Sequence, residues 1–204
     1  MPTLLKIDVS PRGDYSVSRK LGQTFADAWK QKHPGDKVLE RDLFTTNLPF
    51  VDTPWIAAAY STPDQHTPEQ KAAIKISDDL IAELVASDEI VLATPMYNFS
   101  LPARLKAYID HIVRIDKTFT ASYEGLVKGK KLTIIIASGG VYTPGAHAES
   151  YNAESGYLKQ IFGFIGITDV NVILAGGTSA IDLGKVKREE FLPPFEKEVA
   201  AAAR

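Results

Sequence analysis

The sequence predicts an α/β fold: one five-stranded parallel sheet, strand order 2-1-3-4-5, with helices on both faces. Three observations point there. Apolar runs of strand length alternate with segments of helical period along the whole chain. The central runs are continuously apolar, as in Ile134-Ile135-Ile136, which suits strands buried on both faces. Each connection between runs carries an apolar stripe at helical spacing, as parallel crossovers require. The order 2-1-3-4-5 is the simplest right-handed solution for five such strands. At 204 residues, the chain reads as a single domain spanning 1–204.

The elements follow in order. Residues 4–9 form strand one. Val17, Leu21, Phe25, Ala28 and Trp29 recur at helical spacing, giving a helix to about Lys32, which His33-Pro34-Gly35-Asp36 stops. Residues 37–43 form strand two. A Pro- and Thr-rich excursion over 45–63 holds a short helix near 55–60. Thr67-Pro68-Glu69-Gln70 starts the next helix, with Thr67 as cap, Pro68 at the first position and Gln70 completing a capping box. That helix runs to about Ala86, with Leu80, Ile81, Leu84 and Val85 facing in. Residues 89–94 form strand three. Ser100 caps a helix striped by Leu101, Leu105, Ile109 and Ile112. Strand four spans 131–137, and the helix after it holds Leu158, Ile161, Phe162 and Ile165. Strand five spans 170–175, and a final helix fills much of 182–203.

Composition narrows the function. The net charge is −2, with no basic stripe, which argues against a nucleic-acid partner. No apolar run approaches the length of a membrane span. The chain enters its first strand at once, without a signal-peptide core, so a soluble cytoplasmic protein is expected. It contains no cysteine; disulfides, thiol redox chemistry and thiolate metal sites are excluded. Redox work would therefore need a cofactor. His33, His66, His111 and His147 are scattered with no metal-ligand spacing, and only His147, in a Gly/Pro-rich loop, is a candidate for a functional role.

Three loops follow strands one, three and four, at the sheet edge where open α/β folds bind ligands. The first, Ser10-Pro-Arg-Gly-Asp-Tyr-Ser-Val-Ser18, places Ser10, Ser16 and Ser18 before and inside a helix N-terminus, where free N–H groups and the helix dipole attract an anion. Ser16 also suits a plain N-cap. Arg12 and Arg19 could add charge, or stand as solvated surface residues. The loop has neither the Gly-Lys-Ser/Thr of a nucleoside triphosphatase nor the Gly-x-Gly-x-x-Gly of a dinucleotide fold. The second loop, Pro95-Met96-Tyr97-Asn98-Phe99-Ser100, offers aromatics and an amide that suit a flat heterocycle; Asn98 can both donate and accept. The third, Ala137-Ser138-Gly139-Gly140, lets backbone approach a ligand closely.

These segments, with Ala-Arg-Leu-Lys-Ala-Tyr-Ile-Asp after the second loop and Gly-Phe-Ile-Gly-Ile from Gly163, resemble the bacterial FMN-dependent NADH-azoreductases. These belong to the flavodoxin-like NAD(P)H:quinone oxidoreductase group. The resemblance covers the chain from Leu5 to about Gly177. It implies a flavodoxin-like fold with FMN at the switch point between strands one and three. Ser10, Ser16, Val17 and Ser18 would cradle the phosphate. Pro95, Met96, Tyr97, Asn98 and Phe99 would hold the ring, and Ala137, Ser138, Gly139 and Gly140 would line its pyrimidine end. No side chain is expected to be catalytic in its own right, because the flavin carries the chemistry. NADH or NADPH would donate a hydride, and quinones or azo compounds would accept two electrons in turn, by a ping-pong scheme in a homodimer. Two departures bear on substrate range: Ala137 stands where many relatives carry a hydroxyl residue, and the segment 119–125 is short. The alternative reading is a flavodoxin-type electron carrier without a substrate of its own.

Overall fold

The computed structural model describes residues 1–203. Five strands, β1 (Thr3–Asp8), β2 (Lys37–Asp42), β3 (Glu89–Pro95), β4 (Lys131–Ser138) and β5 (Asp169–Gly176), form one all-parallel sheet in the order β2-β1-β3-β4-β5. The chain therefore has the flavodoxin-like topology. Its helices are α1 (Val17–Lys32), α2 (Thr53–Ala59), α3 (Pro68–Ala86), α4 (Ala103–Ile112), α5 (Ala153–Phe164), α6 (Ser179–Asp182) and α7 (Arg188–Ala202).

Side-chain alternation along the strands divides the core into two layers. Leu4, Val91, Ile135 and Ile173 face α1 and α7, where Leu21, Phe25, Trp29 and Val199 are buried. Leu5, Ile90, Ile134 and Ile136 face α3, α4 and α5, against Leu80, Leu84, Leu105, Ile109 and Phe162. A small third cluster, Trp55, Ala58 and Ile74, seats α2 of the excursion on α3. His111 anchors that excursion: its Nδ1 accepts from Trp55 Nε1 at 3.0 Å, and its Nε2 donates to the Pro49 carbonyl at 2.8 Å.

The capping box at Thr67 and Gln70 forms as expected. Three local expectations are corrected. Ser100 does not cap α4; its backbone is taken up in a turn with Tyr97, and Pro102 occupies the cap position without a side-chain hydrogen bond. Val85 is 48% exposed; near the end of α3, its place on the helix lies beyond the strip covered by the sheet. The final helix is divided, because Gly184 adopts a left-handed φ of 65° and separates α6 from α7. No helix among the described residues is long and apolar enough to cross a membrane.

Candidate flavin site

The loops after β1, β3 and β4 converge at the carboxyl edge of the sheet. Ser10, Ser16, Val17, Ser18, Pro95, Met96, Tyr97, Ala137 and Gly139 line one cleft of about 170 Å³. Asn98, Phe99, Ser138 and Gly140 belong to the same loops without lining that cleft. Arg12, Thr178 and Asp182 complete its wall. His147 lies exposed in the loop after β4 and does not reach it.

The first loop is shaped as an anion cradle. Ser10, Ser16 and Ser18 are all buried, and Ser16 Oγ lies 3.1 Å from Ser18 Oγ. Ser16 also caps α1, accepting from the Arg19 N–H at 3.2 Å, while its carbonyl accepts from Lys20. The N–H groups of Val17 and Ser18 open the helix and have no intrahelical acceptor. Neutral hydroxyls and helix-terminal amides thus share one mouth, the donor set a phosphate monoester needs.

Arg19 holds this loop in place and is not a solvated surface residue. Its Nε donates to the Ser10 carbonyl at 2.6 Å and its Nη2 to Asp42 Oδ1 at 2.7 Å, tying loop one to the end of β2. Burial pulls the Asp42 carboxyl upward, but Arg19 and the Phe44 N–H outweigh it and hold Asp42 below its ordinary range. Asp8 sits behind the same loop, 2.8 Å from Lys6 Nζ; burial nonetheless raises its carboxyl above the ordinary value.

The second loop is a strained hairpin. Tyr97 and Ser100 exchange backbone hydrogen bonds of 2.9 and 3.0 Å, with Asn98 and Phe99 at φ of 48° and 68°. Two left-handed residues in a two-residue turn are the type I′ pattern. Asn tolerates it; Phe does so at a cost of about 1–3 kcal/mol. Its surroundings hold it there. The Phe99 carbonyl accepts from Ala153 N–H at 3.1 Å, and its ring packs against Tyr151 and Tyr142.

The third loop is registered to the second and to the loop after β5. Pro95 pairs with Ala137, and Met96 N–H donates to the Ala137 carbonyl at 2.8 Å. Ser179 Oγ donates to the Gly139 carbonyl at 2.8 Å, and Gly177 N–H to the Gly140 carbonyl at 3.0 Å. Ser138 Oγ turns into its own loop, donating to the Gly140 carbonyl. A Cβ on Gly139 would meet only Ser179 Cβ, at 3.7 Å. The fold itself does not need glycine there, so the space belongs to whatever fills the cleft. This stitching also brings Thr178 and Asp182 to the cleft, where Asp182 takes two hydrogen bonds from Arg12, at 2.7 and 3.2 Å. The Gly176-Gly177-Thr178-Ser179 run, a Gly/hydroxyl loop after a strand like the other two, was the available signal for this fourth wall.

Behind the second loop lies Glu154, wholly buried in the first turn of α5. Burial raises its carboxyl from 4.5 to about 8, against a lowering by the Thr94 hydroxyl. The positive end of α5 favours the carboxylate by only about 0.3–1 kcal/mol, whereas burying an ion costs several kcal/mol. Burial wins, and the protonated acid is favoured at neutral pH.

Comparison with known proteins agrees with this geometry. A family model described as a flavodoxin-like fold matches residues 2–198. FMN-dependent NADH:quinone oxidoreductase 8 of Burkholderia lata is 47% identical over 203 residues, covering 100% of this chain and 97% of that protein. The chain belongs to this flavodoxin-like FMN-dependent oxidoreductase family. An FMN-dependent NADH:quinone oxidoreductase of Trichormus variabilis is 48% identical, covering 99% of this chain and 98% of its own. Among solved structures, the azoreductase of Bacillus anthracis strain Sterne superposes with a TM-score of 0.87 at 29% identity, covering 100% and 99% of the two chains. An FMN-dependent NADH-azoreductase of the Ames Ancestor strain, solved in complex with FMN, gives 0.86 at 27% identity, covering 100% and 98%.

Proposed function

We propose that this chain is an FMN-dependent NADH:quinone oxidoreductase that also reduces azo compounds. The observation that carries the reading is the convergence of three loops on one cleft with a phosphate-type donor set at one end. Ser10, Ser16, Ser18 and the N–H groups of Val17 and Ser18 hold the phosphate. Residues 95–99 hold the ring, and Ala137 to Gly140 border its pyrimidine end. Bound FMN supplies two-electron redox chemistry between a nicotinamide donor and a quinone or azo acceptor. The protein's part is to fix the cofactor and leave one face open.

The cleft is smaller than typical ligand pockets of about 300–1,000 Å³. It has room for the phosphate end, and the exposed hairpin tip, where Tyr97 and Phe99 are 42% and 47% exposed, would hold the ring. A second copy of the chain closes that side in our reading. Phe50, Tyr60 and Tyr123 are more than three-quarters exposed, and Phe119 and Tyr123 form an aromatic patch with Phe164. The working unit in this reading is a homodimer, with the cytoplasm as its expected location. Donor and acceptor use the one open face in turn, giving ping-pong kinetics.

The test is direct. Purified protein should carry FMN, identified by chromatography after heat release, and should oxidise NADH with a quinone, giving parallel double-reciprocal lines. NADH alone, without oxygen, should bleach the flavin absorbance. Flavin that stays oxidised under those conditions would reject the enzyme in favour of a carrier reduced by another protein. Sedimentation showing only a 22.3 kDa species at micromolar concentration would reject the dimer.

A further inference from the structure

The buried acid behind the hairpin has a proton to place. Thr94, wholly buried near the end of β3, has one hydroxyl hydrogen and two acceptors in reach. The Pro95 carbonyl lies 3.1 Å from its Oγ1 and Glu154 Oε1 lies 3.2 Å away. Glu154 Oε2 has no partner. If Glu154 is a carboxylate, its charge takes the Thr94 hydrogen and strips it from Pro95. If Glu154 is neutral, Oε1–H donates to Thr94 Oγ1, whose hydrogen is free for the Pro95 carbonyl. Only the neutral state satisfies both contacts. The residue before Glu154 is tied to the same hairpin, since Ala153 N–H donates to the Phe99 carbonyl.

We propose that Glu154 is a positioning residue for the flavin hairpin: as a neutral acid it donates to Thr94, Thr94 donates to Pro95, and residues 95–99 are held in the cofactor-binding shape. This rests on the flavin occupying the cleft. The charge state at pH 7 agrees with it, because burial moves the titration to about 8. The groups that act on Glu154 are few. From β3 it faces Thr94, uncharged; at its own end of α5 lies the positive helix terminus. No charged side chain among the described residues contributes to its shift. Above pH 8 the relay reverses, and a charge forms beneath a turn that already stores strain at Asn98 and Phe99.

Two measurements on the full chain test this. The first is infrared titration, reading the carboxylic-acid C=O stretch as wild type minus Glu154→Gln. A band present at pH 7 and lost through about pH 8 is expected; its absence at pH 7 overturns the proposal. The same band can be followed in wild type carrying 13C-labelled glutamate, so the result stands even if the variant fails to fold. The second is FMN affinity by fluorescence titration against pH. The window lies well above the second phosphate ionisation near 6. Wild-type affinity should drop roughly fivefold through about pH 8, the worth of one neutral hydrogen bond. Glu154→Gln, whose amide still donates to Thr94, should keep wild-type neutral-pH affinity and lose the step. Thr94→Val should bind more weakly at every pH, also without a step. A flat wild-type profile, or a step that survives in Glu154→Gln, overturns the relay. Wild type that binds no FMN at any pH rejects the flavin assignment instead, and the infrared band still decides the state of Glu154.

Discussion

Ser16 carries two roles that one experiment can separate. Its Oγ accepts the Arg19 N–H at 3.2 Å, an N-cap whose loss to alanine costs about 0.5–2 kcal/mol. It also stands 3.1 Å from Ser18 Oγ at the mouth assigned to phosphate. A hydrogen bond to a charged group contributes about 1.5–3 kcal/mol, or roughly 10- to 150-fold in affinity. Riboflavin lacks the phosphate and so reports everything else about the site. In fluorescence titrations, Ser16→Ala and Ser18→Ala should each lower the FMN-to-riboflavin affinity ratio at least about tenfold. The ligand-free protein should separate them: Ser16→Ala should lower the melting temperature by about 2–4 °C per kcal/mol of lost cap, and Ser18→Ala, which caps nothing, by much less. Ser16→Asp completes the set. Asp caps as well as Ser but puts a negative charge against the phosphate, so stability should be kept while FMN affinity falls further than in Ser16→Ala. Equal losses for FMN and riboflavin across the series would refute the phosphate assignment. So would an Asp variant that binds FMN as wild type does.

Three further outcomes follow from the same geometry. Glu154 titrates near 8 when folded and near 4.5 when free, so the folded state binds the extra proton between those values. Its contribution to stability is full in acid and is lost as pH rises from about 4.5 to 8, a span of 3.5 units worth on the order of 5 kcal/mol. Unfolding free energies from denaturant titrations at pH 5 and 8 should show Glu154→Gln gaining on wild type by roughly 3–4 kcal/mol over that interval, and parallel profiles would contradict the burial argument. His111 is shifted the other way, lowered by burial against a rise from its bond to Pro49. The unfolded chain then binds more protons, so stability is complete above about pH 6.5 and falls as the medium is acidified below it. His111→Gln keeps an acceptor for Trp55 and a donor for Pro49, and should flatten that acid limb in urea titrations; an unchanged limb would place the acid sensitivity elsewhere. Finally, Gly139→Ala should fold with wild-type stability, since a Cβ there has room, and should weaken FMN; a variant that still binds FMN normally would show that the cleft is not the cofactor site.

Much of this was legible from local pattern. The apolar runs identified the central strands β1, β3 and β4 because burial on both faces leaves little choice of residue, and Thr67-Pro68-Glu69-Gln70 announced its helix because the capping box is a local interaction. Ser100 misled for the same reason. Its type suits a cap, but the turn with Tyr97 had already engaged its backbone, and no local rule ranks a cap against a hairpin three residues earlier. The clamp of Arg19 on Asp42 and the buried state of Glu154 depend on partners 23 and 60 positions away. Spacing along the chain carries no record of such contacts; only strand order brings them together.

That strand order also explains why the site is firm on one side and open on the other. Loops two and three are joined directly, because the β3–β4 pairing runs on through Pro95, Ala137 and the Met96 N–H. Loop four joins them through Ser179 and Gly177, and loop one is pinned separately by Arg19 to the end of β2. Each tie is a backbone, hydroxyl or charged hydrogen bond, which leaves the exposed faces of Tyr97 and Phe99 uncommitted. A rigid frame that fixes the cofactor and spends no side chain on the acceptor puts acceptor choice on whatever covers the hairpin. On the proposed function, residues 10–18, 95–99 and 137–140 would hold the cofactor. We propose that acceptor range depends on exposed aromatics such as Phe50, Tyr60 and Tyr123; substitutions there should alter the KM for different quinones and azo compounds while leaving FMN affinity unchanged.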